Sequence, residues 1–441
     1  MKKIIISSMI GNALEWYDFI LYIQFSIIIS QLFFPPTDPF TSLLATFGIF
    51  AVGFVMRPIG GLLFGLLGDK LGRKSALVIS ILMMAIPTAL IGFIPTYAQI
   101  GIAAPICLTL MRLFQGLALG GGFSGCMTFI IEHAPEEKRG LVGSCAMFSL
   151  GAGVLTGILV SIGFSTWLPE KDFITWGWRL PFILSLVVGM IAFYIHNHVN
   201  ESPEYLKLKE QGNLSKNPLL NVFKHHWKEL LIAIAIYITV TIPFYTFTAF
   251  FSTYLQRYAG VTLHDALIIN GTAMLFCMAI MPFTAWLSDG YGRKPVLIST
   301  AVIIALVTYP SFKLLLQGYP FFAQILFGTA LGAYMGPVVA TLVELFPPNI
   351  RFTALALSYN FSAAVFGGTT PIVYLNLIKI TNSVTSPVFY IIGFVVLTIL
   401  ALTQYKTCSK YARVERSMSL QHSERLRSWP TFRYKWFKNP A

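Results

Sequence analysis

Long apolar runs alternate with short polar links along almost the whole chain. The runs fall near 9–34, 42–67, 75–95, 101–131, 140–166, 177–198, 229–256, 264–288, 295–316, 319–345, 352–380 and 384–405. About 20 consecutive apolar residues cross a hydrocarbon core of about 30 Å as a helix. The pattern therefore predicts twelve transmembrane helices. Strands of a membrane barrel would alternate apolar and polar residues over about ten positions, and these runs do not. The first run follows Met1-Lys2-Lys3 and so imitates a secretory signal. It carries Glu15 and Asp18 in its apolar centre, lacks a small-residue cleavage site and is followed by another span. It reads as a retained first helix.

The polar links set the organisation. The longest internal one, 200–228, separates two six-span halves, 1–199 and 229–405, and a basic tail follows over 406–441. Of the 31 Lys and Arg, Lys171, Arg257, Lys313 and Lys379 fall in one set of alternate links. Arg57, Arg112 and Arg179 lie in or at the edge of spans, and all the others fall in the opposite set or the termini. By the positive-inside rule both termini are cytoplasmic. The formal net charge of +13 is then a topology signal, not a nucleic-acid footprint. Trp429, Phe432, Tyr434, Trp436 and Phe437 interleave the tail's basic residues, as in a segment lying on anionic lipid or a plain solvated tail. No sustained heptads run through it.

Composition narrows the class. The chain has 441 residues, 56% hydrophobic and 11% charged, where soluble domains average about 25% charged. A soluble enzyme, a disordered chain and a disulfide-stapled domain are excluded. Cys107, Cys126, Cys145 and Cys277 lie in apolar runs without CxxC spacing, and no His sits mid-span. No metal site or cofactor is expected, and a membrane-embedded transferase lacks its chemistry.

The halves repeat. Residues 65–74 read GLLGDKLGRK and 285–294 read AWLSDGYGRK, so Asp69 matches Asp289. Glu132 and Arg139 match Glu344 and Arg351 at nearly the same shift, and Gly116 and Gly120 fall on Gly328 and Gly332. Repeated halves with a site between them are the plan of secondary transporters. The predicted fold class is an all-α membrane protein: twelve transmembrane helices in two six-helix pseudo-repeat bundles.

Gly65, Asp69, Lys70, Gly72, Arg73 and Lys74 resemble the signature between helices 2 and 3 of the major facilitator superfamily. GNALEWYDFILY (11–22), RPIGG (57–61), LMRLFQGLALGGG (110–122), EHAPEEKRG (132–140), WGWRLPF (176–182) and ESPEYL (201–206) resemble its metabolite:proton symporters. That group includes proline/betaine, shikimate and α-ketoglutarate carriers, and the proline/betaine type is the nearest likeness. The resemblance implies alternating access and a bacterial inner (plasma) membrane location. It also exposes a departure. Related symporters read Gly-Gly-Glu where this chain has Gly120-Gly121-Gly122. Either Glu15 and Asp18 carry the proton alone, or coupling differs.

Charge at bilayer depth costs at least about 2.5–3.5 kcal/mol, so it marks candidate sites. Asn12, Glu15, Asp18 and Tyr22 recur at helical spacing and predict one polar face on the first helix. Desolvation disfavours the ionised carboxyl, which suits a reversible proton carrier. Glu15 and Asp18 either serve substrate or proton binding, or tie helices by a salt bridge to Arg57 or Arg112. Arg112, with Gln115 one turn away, maps onto Gln324 in the second half. It either forks a substrate carboxylate or pairs with an acid of the first helix. Arg57 lines the site or the inner mouth of the path. Asp69, Arg73, Lys74, Asp289, Arg293 and Lys294, with Glu132, Arg139, Glu344 and Arg351, are read as interdomain charge pairs of an inner gate or as surface charge that only fixes topology. Asp69 is also placed near the positive end of a helix. Gly116, Gly120, Gly125, Gly328, Gly332 and Gly336 predict close helix packing. Phe244, Tyr245, Phe247, Phe250, Phe251 and Tyr254 on helix 7 offer rings for a quaternary ammonium or simply pack. Trp176, Trp178 and Tyr258 are placed in an outer interfacial belt.

The expected function is proton-coupled uptake of a small polar metabolite or compatible solute by a carrier working as a monomer. Its partners are the solute, protons and the lipid bilayer. The alternative is a proton-independent facilitator or exchanger of an organic acid, such as a dicarboxylate or shikimate-like compound. Pocket specificity depends on the relative rotation of several helices, so the substrate is not legible.

Overall fold

The computed structural model describes residues 2–35, 39–71, 73–132, 134–197, 218–347 and 350–405, with the side chains of residues 65–77 outside the described set. The regular elements among them are all helical. Nine helices are long and apolar enough to cross a membrane, two bent pairs add a span each, and Val78–Phe93 is a shorter apolar helix. These twelve segments coincide with the twelve predicted runs. The tail, most of the central link and Gly72 lie outside the described residues.

The first span is Lys2–Gln24 continued by Ser26–Phe33, bent by 58°. The second to fifth are Pro39–Leu71, Arg73–Phe93, Ala103–Glu132 and Arg139–Trp167. The sixth joins Glu170–Gly177 to Arg179–Asn197. The seventh to twelfth are Trp227–Tyr258, Leu263–Tyr291, Arg293–Leu316, Pro320–Leu345, Arg351–Thr381 and Pro387–Gln404. At about 1.5 Å per residue these lengths cross the apolar slab with some tilt. Prolines 58, 87, 243, 282, 310 and 337 stand inside helices, where neighbouring helices supply the freed backbone groups with partners. The seventh and eleventh spans each contain a π-helical turn, Thr246–Phe250 and Ala363–Gly367, a feature frequent at functional sites. The end of the central link, Pro218–His225, is a short helix against the eleventh span, with Val222 fully buried.

Packing repeats as the sequence does. The second span lies on the fourth, the third on the sixth and the first on the fifth; the eighth lies on the tenth, the ninth on the twelfth and the seventh on the eleventh. The halves meet chiefly where the fifth span packs on the eighth and tenth, and the second and fourth on the eleventh. Close crossings need bare backbone. A Cβ at Gly116 would collide with the Gly53 carbonyl, and one at Gly120 with Gly61. In the second half, Gly332 meets Cys277 and Gly336 meets Met281. Gly125 is less constrained: a Cβ there would stand 3.6 Å from Phe352. Gly292 links the eighth and ninth spans at φ 93°, a backbone conformation that favours glycine.

The outward faces carry large exposed apolar side chains such as Leu306, Phe322 and Phe389. They are the surface a bilayer would solvate. Trp176 and Tyr258 are exposed, but Trp178 is fully buried between Phe33 and Phe182. The belt expectation fails for Trp178 because the sixth span bends there and turns the ring inward.

Candidate functional site

The four charges expected at membrane depth converge at the middle of the bundle, and all are buried: Glu15 is 6% exposed, Asp18 3%, Arg57 0% and Arg112 1%. The salt bridges that are one of the two readings of these acids are not formed among the described residues. Among the described residues no ion pair involves either carboxylate, and Glu15 Oε1 and Asp18 Oδ1 have no hydrogen-bond partner.

The polar face of the first span fans out instead of lining one wall. Asn12 donates to the Ala146 carbonyl (3.2 Å) and to Ser149 Oγ (2.8 Å) on the fifth span. Glu15 lies against bare Gly122 on the fourth. Asp18 lies beside the Ser185 hydroxyl of the sixth, outside strict hydrogen-bond geometry. Tyr22 donates to the Thr46 carbonyl of the second, 2.8 Å away. Each step of three residues lags a full helical turn by about 60°, so a face spaced by threes becomes a wide arc.

Arg57 is the best-connected group of the centre. It comes from the second span, and its partners all come from the second half. Nε donates to Asn360 Oδ1 (3.4 Å), one Nη to the Tyr245 hydroxyl (3.5 Å) and the other to the Tyr359 hydroxyl. Its guanidinium also faces the rings of Phe54 and Tyr359 at 5.1 and 4.8 Å. Asn360 donates onward to the Gly120 carbonyl at 2.8 Å, binding the eleventh span to the fourth.

Arg112 has a different setting. One Nη donates to Gln115 Oε1 at 2.8 Å, and Gln115 donates to Thr88 Oγ1 at 2.6 Å. Its guanidinium lies over Tyr22 at 4.3 Å, with Phe19 and Phe50 also near. Its Nε and second Nη have no partner among the described residues. A buried guanidinium with two idle donors and ring faces around it can fork an anion.

A small cavity lies between the halves beside these groups. Trp16 and Leu150 line it from the first half, and Tyr237, Phe244, Tyr245 and Tyr359 from the second. Trp16 meets Phe244 edge to face at 5.5 Å. The rings expected on helix 7 are all buried, and Phe244 and Tyr245 face this space. Sequence reasoning missed Tyr359, Asn360 and Tyr237; the available signal was Asn360, a polar residue in an apolar run.

Contacts join the halves at both ends. At one end Glu132 pairs with Arg351 at 3.6 Å. Asp289 accepts from the backbone N–H groups of Gly140 and Leu141 at 2.8 and 2.9 Å, at the start of the fifth span, where an anion suits the helix dipole. Arg293 holds Asp289 (2.6 Å) and grips Glu344 (3.1 Å). The expected interdomain set is thus partly re-paired: Glu344 binds within its own half, and Asp289 reaches across through backbone donors. Lys294 donates to the Thr403 carbonyl (2.8 Å), also within its half. Arg139 opens the fifth span. Gly72 and the side chains of Asp69, Arg73 and Lys74 lie outside the described set, as does whatever a side chain at Gly65 would meet. At the opposite end Ser26 Oγ lies 3.2 Å from Thr253 Oγ1, and the Phe40 ring faces Arg257 and Lys379 at 5.7 and 5.0 Å.

Two repeated bundles around a buried charged centre are the geometry, and a family profile described as Major Facilitator Superfamily matches residues 9–371. The chain belongs to the major facilitator superfamily. The glycine betaine/proline/ectoine/pipecolic acid transporter OusA of Dickeya dadantii is 35% identical over 412 residues, 91% of this chain and 82% of that protein. The proline/betaine transporter of Escherichia coli K12 is 33% identical over 403 residues, 89% of this chain and 80% of that protein. The ectoine/proline transporter ProP of Corynebacterium glutamicum is 32% identical over 415 residues, 89% and 82%. Among solved structures, the proton:xylose symporter XylE bound to 6-bromo-6-deoxy-D-glucose superposes with a TM-score of 0.74 at 17% identity, covering 91% of this chain and 94% of that one. XylE from E. coli in a partially occluded inward-open state gives 0.71 at 19%, covering 91% and 97%. These structural likenesses establish the fold alone. By family and by its relatives, this superfamily member is a multi-pass membrane transporter of solutes, not an enzyme.

Proposed function

We propose that this transporter takes up a small polar solute of the proline/betaine type by alternating access, coupled to protons. The reading rests on one observation: two carboxylates are buried at the centre of the first span with no cation in ion-pair contact among the described residues. An ionised carboxylate so placed is costly, so neutralisation by a proton is the inexpensive state. In this reading Glu15 and Asp18 carry the proton. Arg112, with its idle donors and its neighbours Gln115 and Tyr22, receives a substrate carboxylate. The cavity rings by Trp16, Phe244 and Tyr245 receive a cationic amine. Arg57 ties the halves across the centre. The Glu132–Arg351 pair and the Asp289–Arg293–Glu344 cluster close one end, with both termini cytoplasmic on that side, in a bacterial inner membrane. The protein works as a monomer, in the bundles 1–199 and 229–405.

The test is transport in reconstituted vesicles. Glu15→Gln and Asp18→Asn proteins are expected to lose accumulation driven by a proton gradient. Full retention in both would remove the coupling role. A second reading, a proton-independent facilitator or exchanger of an organic acid, draws support from two buried arginines, Arg57 and Arg112, without a carboxylate partner among the described residues. Uptake of a dicarboxylate or shikimate that ignores an uncoupler would select it.

A further inference from the structure

Gly122 stands where the fourth span faces the first, and the space a side chain would fill is taken by Glu15. A Cβ built on Gly122 would overlap Oε2 of Glu15 and stand 2.9 Å from both Oε1 and Cδ. The carboxylate is not held there by hydrogen bonds, since Oε1 has no partner and no bond to Glu15 is formed among the described residues. Its location is therefore set by the shape of the berth and by the nearby charge of Arg57, not by a hydrogen bond.

Gly122 also differs in kind from Gly116 and Gly120, six and two residues before it on the same helix. A Cβ at Gly116 or Gly120 would strike the backbone of the second span, which cannot yield without parting the two helices. At Gly122 the obstructing atoms are the free end of a flexible side chain, so the carboxylate can move and the fold can stay. The groups around Glu15 fix what a displaced carboxylate would meet. They are Arg57 from the second span, Cys126 from the fourth, Tyr359 from the eleventh and Asp18 from its own helix.

We propose that Gly122 is a positioning residue for Glu15: the absent side chain creates the berth in which the carboxylate sits, and a side chain at 122 moves it among Arg57, Asp18, Cys126 and Tyr359. A change at Gly122 then acts through Glu15 and leaves the helix crossing intact. The inference rests on the proposed function only where uptake is the readout.

The experiment compares Gly122→Ala with Gly125→Ala, one turn along the same helix, where a methyl makes only ordinary contact with Phe352. Purified proteins in lipid are titrated with pH, and the protonated-carboxyl stretch is followed by infrared difference spectroscopy; Glu15→Gln identifies the band. Gly122→Ala is expected to move the midpoint of that band by about one pH unit, a tenfold change in proton affinity, and to move the pH profile of uptake with it. Gly125→Ala is expected to match the parent in both. Thermal stability of each variant in detergent, expected to equal the parent's, separates repositioning from unfolding. A Glu15 band and uptake profile unchanged in Gly122→Ala would overturn the proposal, and so would a large stability loss in that variant alone. If the band moves in Gly122→Ala while Glu15→Gln still accumulates solute normally, the positioning stands and the proton-coupling role fails.

Discussion

Arg57 of the second span donates to the hydroxyl of Tyr359 on the eleventh, and the bond crosses from one six-helix bundle to the other. Tyr245 and Asn360 complete the coverage, again from the far bundle. A guanidinium buried without a carboxylate partner among the described residues is here solvated by neutral oxygens and ring faces. The two halves are therefore joined at mid-depth through Arg57, and Asn360 adds a second bond across them to the Gly120 carbonyl.

Arg57→Lys keeps the charge and loses the fork. A single ammonium cannot reach three oxygens in that layout, and hydrogen bonds to charged groups are worth about 1.5–3 kcal/mol each. Maximal uptake in vesicles is expected to fall about tenfold or more, which is what losing one such bond costs when about 1.4 kcal/mol is a factor of ten. Tyr359→Phe is expected to give an intermediate loss. A lysine protein that transports at the parent rate would show that the fork is not used.

Arg112 is anchored by Gln115, which is itself held by Thr88. Gln115→Leu frees the guanidinium without removing it. The expected result is a raised KM for solutes bearing a carboxylate with little change in maximal rate, because the charge stays while its orientation is lost. Arg112→Met should abolish both net uptake and solute exchange. Counterflow measurements on the two variants distinguish orientation from charge, and normal exchange by Arg112→Met would remove Arg112 from the binding path.

Gly140, second residue of the fifth span, lies against the Asp289 carboxylate. A Cβ there would stand 2.7 Å from both Asp289 Oδ1 and the Ala285 carbonyl, and would also strike Arg293. Gly140→Ala should therefore wedge this end apart without touching the central site. Substrate binding to purified protein is expected to stay within about twofold, roughly 0.4 kcal/mol, because the methyl meets Arg293, Ala285 and Asp289 and no group of the central site, while net transport is lost. Labelling of a cysteine introduced near this end should rise. Parent-level transport by Gly140→Ala would show that the end tolerates the methyl and that Asp289 closes nothing there.

Much of this architecture is legible in one dimension, and the reason is hydrophobic length. The runs near 42–67, 101–131 and 319–345 are too apolar and too long to be anything but spans, and a charge inside one, such as Arg57 or Arg112, announces itself. Partnerships are not legible in that way. Asn12 and Tyr22 read as the same face as Glu15, yet they bond to the fifth and second spans: Asn12 lies about 60° round the helix from Glu15, and Tyr22, nearly in line with it, lies about two turns further along. Tyr245 reads as one ring among several on helix 7, and Tyr359 as ordinary apolar filling, until the rotation of the two helices that carry them is known. The re-pairing of Glu344 with Arg293 instead of across the interface has the same origin: repeated motifs give equivalent positions, not partners.

The cavity rings provide a prediction about selectivity. Trp16 and Phe244 meet edge to face at its wall, and Trp16 belongs to the first half while Phe244 belongs to the second. A ring face attracts a cationic amine by about 0.5–2 kcal/mol and gives a carboxylic acid without an amine no such help. If the cavity takes an amine, Trp16→Leu should raise the KM for betaine by about 2- to 30-fold, the range those energies imply. Competition by α-ketoglutarate or shikimate should be unaltered. Leu keeps the site apolar and removes only the quadrupole and some volume, so a parallel Trp16→Phe protein controls for volume by restoring a ring. Recovery of betaine uptake in Trp16→Phe but not in Trp16→Leu assigns the effect to the ring face. Equal losses in both would instead make Trp16 a packing residue between the halves, and the amine would then have to be held by Tyr237, Tyr245 or Tyr359 across the cavity.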